Sequence, residues 1–81
     1  MESSYNSAKL RVLRLLAERG WQTPKEVAQR AFSFRSYRNA WTTLLRLYRW
    51  GLVIRRSQPW GLEYSITDKG KTRLQWLLSR E

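Results

Sequence analysis

SFRSYRNAWTTLLRLYRWGLV, residues 33–53, is the stretch that decides the fold. Its apolar positions Tyr37, Ala40, Leu44, Leu47 and Tyr48 recur at the three- and four-residue spacing of one helix face. The opposite face carries Arg35, Arg38, Asn39, Thr42 and Arg46, with Trp41 and Thr43 at the borders. Gly51 ends the periodic run, as a left-handed closing residue does, and Leu52 and Val53 open a β-favouring segment. A helix face of Arg, Asn and Thr without an acid suits nucleic acid. Arg reads guanine edges or phosphate, Asn reads adenine, and Thr contacts phosphate or a thymine methyl. The competing reading is an ordinary solvated face, so the rest of the chain has to decide.

Charge is distributed unevenly. The chain carries 16 basic and 6 acidic residues, for a net charge of +10. No acid lies between Glu26 and Glu63, whereas seven arginines do: Arg30, Arg35, Arg38, Arg46, Arg49, Arg55 and Arg56. An even scatter of acids would place about two or three in that window. The middle of the chain is therefore the expected electropositive face, and arginine suits phosphate and base edges better than lysine does.

The remaining composition narrows the function classes. An 81-residue chain has room for one domain with a modest core, and 42% hydrophobic residues make it too apolar to be disordered. There is no cysteine and no histidine, so disulfides, zinc knuckles and thiol nucleophiles are excluded, and the commonest general base is missing. The acids are scattered and no phosphate-binding loop is present, which leaves no catalytic arrangement, metal or cofactor to expect. No apolar run approaches the roughly 20 residues of a membrane span, and the N-terminus lacks a signal-peptide core. The default expectation is an intracellular, cytoplasmic protein.

Along the chain, residues 1–6 read as a flexible tail. A first helix over about 7–19 places Leu10, Leu13, Leu16 and Ala17 on one face and ends at Gly20. Trp21 and Gln22 make a link able to pair as a very short strand. Thr23-Pro24-Lys25-Glu26 is a capping box with proline at the first helical position, opening a helix over about 24–31. Phe32 and Phe34 read as core plugs in the turn to the third helix, about 35–50. Strands follow at about 53–57 and 62–66, around the turn Ser57-Gln58-Pro59-Trp60-Gly61. Thr67 then caps a last helix over about 68–80. On it Leu74, Leu77 and Leu78, widened by Trp76, form a stripe suited to a dimer surface.

These elements resemble the winged helix-turn-helix family of DNA-binding domains. Leu47-Tyr48-Arg49-Trp50-Gly51-Leu52-Val53 looks like the family's leucine, three polar residues and Gly-Leu-Val junction. Tyr64-Ser65-Ile66-Thr67-Asp68-Lys69-Gly70 is similar to the strand-to-helix junction of bacterial and archaeal regulators. The resemblance runs from about Lys9 to Leu78. It implies an α+β, mainly α fold: a three-helix core, a β-hairpin wing and a fourth, C-terminal helix. It further implies that the third helix enters the major groove while the wing touches the minor groove or backbone.

Carried onto this chain, the base-facing positions are Arg38, Asn39, Trp41 and Thr42. Arg35 and Ser36 would lie near phosphate at the helix start, and Arg46 one turn further along the backbone. Trp41 departs from the small or polar residue usual in the family, and packing on the second helix is its other reading. On the wing, Arg55 and Arg56 point to opposite strand faces, with Arg56 the better placed for phosphate. Gln58 and Trp60 complete the wing contacts, although Trp60 reads more readily as an apolar lid over the hairpin. Lys25 and Arg30 are read as solvated, with backbone contact their other reading, and Arg11 and Arg14 as solvated or part of a subunit interface. The implied function is a transcriptional regulator that binds double-stranded DNA as a homodimer through its first and last helices, with no small-molecule ligand evident. Two alternatives stay open: a winged-helix protein-interaction module in a larger assembly, and a non-specific DNA- or RNA-binding protein using Trp60 and the arginines.

Overall fold

Four helices and one hairpin follow one another in the expected order in a computed structural model that describes residues 4–32 and 37–79. Helix α1 (Ser4–Arg19) begins within the stretch read as a tail. It touches α2 (Pro24–Ala31), α3 (Tyr37–Arg49) and α4 (Asp68–Ser79). A helix surrounded on several sides needs a wide apolar arc, and α1 supplies one in Val12, Leu13, Leu15 and Leu16, all buried. Ala17, about 100° round the helix from Leu16, is exposed instead of sharing the core face as the spacing suggested.

Helix α2 starts as its sequence dictates. The Thr23 hydroxyl accepts from the Glu26 N–H at 3.2 Å, and the Glu26 carboxylate accepts from the Thr23 N–H at 3.0 Å. Val27 and Ala28 enter the core, and Phe32 packs against it. Phe34 lies outside the described residues. Helix α3 buries Ala40, Thr43, Leu44 and Leu47. Tyr37 and Tyr48, read as part of that apolar face, are exposed. The seam is narrower than the spacing implied, and both residues lie on its flanks.

The end of α3 is a Schellman closure. Gly51 has φ 75°, its N–H donates to the Tyr48 carbonyl at 3.1 Å, and the Leu52 N–H donates to the Leu47 carbonyl at 2.9 Å. The chain thereby turns directly into strand β1 (Val53–Gln58), which pairs antiparallel with β2 (Gly61–Ile66) around Pro59-Trp60. Arg55 lies opposite Tyr64 and Arg56 opposite Glu63. The short link also pairs: Gln22 and Tyr64 exchange backbone hydrogen bonds of 2.9 and 2.7 Å. With Tyr64 fully buried, this bridge seats the hairpin against the helices.

Thr67 caps α4 and ties it down. Its hydroxyl accepts from the Gly70 N–H at 3.0 Å and donates to the Gly51 carbonyl at 2.7 Å, while its N–H donates to the Leu52 carbonyl at 3.0 Å. The first turn of α4 thus lies directly on the α3–β1 junction. Gly70 is what permits this, because a Cβ there would run into the Leu52 carbonyl and come 2.7 Å from Ile66 Cγ1. Further along α4, Leu77 belongs to the core and Leu74 packs against it, so the stripe expected to face a second subunit is largely used within the domain. Leu78 is half-buried, and Trp76 is exposed.

Candidate nucleic-acid interface

The exposed side of α3 assembles most of the anticipated contact residues. Arg38, Thr42 and Arg46 follow at four-residue spacing and so stack along one face; Asn39 lies beside them. Arg38, Asn39 and Arg46 are exposed and Thr42 is half-buried. Lys25 and Arg30 of α2 are exposed, as are Arg11 and Arg14 of α1. Arg35 and Ser36 lie outside the described residues.

The hairpin holds its two arginines differently. The Arg55 guanidinium lies 4.3 Å from the centroid of the Tyr48 ring, on the last turn of α3. The Tyr64 hydroxyl chiefly, opposed by desolvation and helped by Tyr48, raises its pKa above the ordinary guanidinium value. Arg56 instead turns inward along the hairpin. Its guanidinium stacks 4.2 Å from the Trp21 centroid, and its Nε donates to Glu63 Oε1 at 2.9 Å. Glu63 therefore offsets the charge of the arginine that the sequence favoured for phosphate, and Arg55 is the wing cation whose charge has no such carboxylate beside it among these contacts.

Glu63 has a second task. Its other oxygen, Oε2, accepts from the Trp60 indole N–H at 3.2 Å. The hydrogen bond from Arg56 chiefly, opposed by burial and assisted by that from Trp60, holds the carboxyl below its ordinary value of 4.5. Trp60 is not the lid over the hairpin that its sequence position suggested: it is 67% exposed, with the ring orientation set by Glu63. Gln58, at the end of β1, is half-buried.

Trp60 borders a groove of about 390 Å³ between the wing tip, the start of α2 and α3. Pro24, Lys25, Tyr37, Trp41 and Leu62 line it as well. Trp41 therefore faces this groove, which reconciles its bulk with its place on α3. Outside this groove, Lys9 of α1 is buried with its Nζ 5.1 Å from the Trp50 ring. Desolvation, then the charge of Arg73, lowers its pKa.

Sequence reasoning missed the aromatic partners Trp21 and Tyr48, since stacking on an arginine leaves no periodic signal. It also missed Glu63, although a hairpin centred on residues 59–60 places residue 63 across from residue 56. Among the described residues no group of histidine, cysteine or acidic side chains is arranged to hold a metal ion, and no helix is long and apolar enough to cross a membrane.

No protein-family model matches the chain, and no curated protein sequence does. Solved structures do. The YusO protein from Bacillus subtilis superposes with a TM-score of 0.77 at 24% identity over 89% of this chain and 52% of its own. A MarR family protein from Bacillus stearothermophilus gives 0.73 at 19% identity, covering 89% and 50%. The transcriptional regulator PA4135 gives 0.71 at 25% identity, covering 90% and 54%. The chain spans about half the length of each of these proteins. Its four helices and two-stranded wing are the winged helix-turn-helix fold of MarR-type regulators.

Proposed function

We propose that the chain binds double-stranded DNA as the reading domain of a transcriptional regulator, with α3 in the major groove and the wing on the backbone or minor groove. The observation that carries this is the acid-free exposed face of Arg38, Asn39, Thr42 and Arg46 on the third helix of a winged helix-turn-helix fold. Arg38 and Asn39 are the pair for base edges, where each bidentate contact supplies about 1–3 kcal/mol of discrimination. Arg55 is the wing residue for phosphate. Affinity comes chiefly from arginine–phosphate contacts and the release of counterions.

One copy of so small a reader covers few base pairs, so we further propose a homodimer on a two-fold site. With Leu77 in the core, its surface uses Trp76 and the exposed part of Leu78 on α4 together with α1.

The test is binding to random-sequence duplex DNA at two salt concentrations, for the wild type and for Arg38→Ala/Asn39→Ala. Binding that falls steeply with salt and weakens in the double variant is the expected result. No binding at low salt by a chain of charge +10 would overturn the proposal and assign the basic face to a protein partner.

A further inference from the structure

The groove beside the wing has features that duplex binding through α3 does not use. Three large rings open into it: Tyr37 is 50% exposed, Trp41 44% and Trp60 67%. Single exposed apolar residues are ordinary on a protein surface, whereas a cluster of them in one concavity marks a binding site. The rings come from two separate elements, α3 and the wing, so no single helix stripe or strand face accounts for their meeting. A volume of about 390 Å³ is within the range of small-ligand clefts.

The groove is also preorganised. Trp60 sits at a hairpin tip, where an unrestrained side chain would lose considerable rotamer freedom on binding. Its indole N–H is held by Glu63, which is held by Arg56, which is stacked on Trp21. A chain of three contacts thus fixes one exposed ring, and binding to it costs correspondingly less entropy.

The chemistry of the walls selects the occupant. Among the described residues no acid lines the groove, Lys25 stands at its rim, and Arg38 and Asn39 follow directly on Tyr37 along α3. Flat aromatic faces beside cations fit a planar base joined to a phosphate. Bases in an intact duplex are stacked on one another and present only their edges, so the base must be unpaired. We propose that the groove between Trp60 and Trp41 takes one unpaired nucleobase of a bound nucleic acid, stacked on the indole faces, with Lys25 on the adjoining phosphate. This rests on the reading of the chain as a nucleic-acid-binding domain. It adds a preference for DNA that carries an extruded or single-stranded base beside the site covered by α3.

The experiment compares three labelled probes of one random sequence: the paired duplex, the same duplex with one extrahelical adenine, and the single strand. Fluorescence anisotropy gives affinity and tryptophan emission reports stacking, for the wild type, Trp60→Ala and Trp60→Phe. Base–aromatic stacking supplies about 1–3 kcal/mol, so the extrahelical base should tighten wild-type binding by about fivefold or more and quench tryptophan emission. Trp60→Ala should abolish that gain, bringing the ratio of the two duplex affinities to about one whatever it does to the paired duplex alone, and Trp60→Phe should keep part of it. Trp60 is exposed, so both variants are expected to fold, which circular dichroism checks.

Equal affinity for the two duplexes, or a gain that survives Trp60→Ala, would overturn the groove assignment and leave duplex recognition by α3 intact. Single-strand binding that depends on Trp60, without duplex binding, would uphold the groove and overturn the duplex reading. Absence of binding to all three probes would overturn both.

Discussion

Gly70→Ala is the substitution for which local and tertiary effects have opposite signs. Gly70 lies in the first turn of α4, and replacing glycine by alanine inside a helix ordinarily stabilises by about 1 kcal/mol. Here the new methyl would enter the Leu52 carbonyl and approach Ile66 Cγ1 to 2.7 Å and Leu52 C to 3.0 Å. Two of those three neighbours are backbone atoms, which cannot rotate away, so α4 must lift from the α3–β1 junction. Overpacking of this kind costs about 1–3 kcal/mol. Lifting α4 also lengthens the Thr67 bonds to the Gly51 and Leu52 carbonyls, at about 0.5–1.5 kcal/mol each. Set against the propensity gain, the net loss is about 1–5 kcal/mol, with its middle near 3. Urea unfolding followed by tryptophan emission measures it. With a slope of about 1 kcal/mol/M for a chain this small, the midpoint falls by about 1 M or more. A midpoint equal to or above the wild type's would mean that propensity dominates and that the close approach of α4 to Leu52 is not required.

The two wing arginines should separate cleanly. Arg55→Ala lowers the slope of log affinity against log salt by about 1 and costs only the Tyr48 stack in urea midpoint, whereas Arg56→Ala, losing both Glu63 and Trp21, lowers the midpoint further and leaves the slope; the reverse pattern would return phosphate contact to Arg56. Glu63 gives a pH signature. Its folded pKa lies below the ordinary 4.5, so its stabilising contribution is fully present above that value and is lost as pH falls through the depressed one. The wild-type advantage in urea midpoint over Glu63→Gln should therefore shrink as pH drops from about 5 toward 3, and an advantage independent of pH would exclude ion pairing as its source. For the homodimer, light scattering on a sizing column should give twice the mass of one chain, reverting to one in Trp76→Ala; a wild-type monomer at high concentration refutes the interface.

The sequence made some of this structure legible and hid the rest, for physical reasons. Caps and closures were readable because they are local: Thr23 and Glu26 bond across three residues, and Gly51 marks its own left-handed turn. The wing was readable from alternation and from Pro59. Breadth of burial was not. The spacing of Ala40, Leu44 and Leu47 gives a face its direction, but Tyr37 and Tyr48 fit the same period and lie exposed on its flanks. The α4 stripe is the same problem reversed: Leu74 and Leu77 read as a surface for a partner until α1 is seen to cover them. Nor does sequence show that Trp41 and Trp60 share a groove, since eighteen residues, spanning the rest of α3 and strand β1, lie between them.

A two-stranded hairpin of this length is marginally stable alone, yet a wing can position cations only if it keeps a fixed attitude to α3. Three attachments supply that attitude. The Gln22 bridge and the burial of Tyr64 hold the strand nearer the body, the Arg55–Tyr48 stack joins the outer strand to the last turn of α3, and Glu63 joins Trp60 and Arg56 across the ladder to Trp21. The third attachment explains why an acid stands at the border of an otherwise acid-free window. Glu63 lowers the positive charge of the face by one, and in return it ties the Trp60 ring to Arg56 and, through it, to Trp21. A wing of arginines alone would repel itself along β1 and leave Trp60 unanchored. On the proposed reading the acid belongs to the binding surface by virtue of what it orients, and its removal should weaken the groove's selectivity before it weakens attraction to DNA.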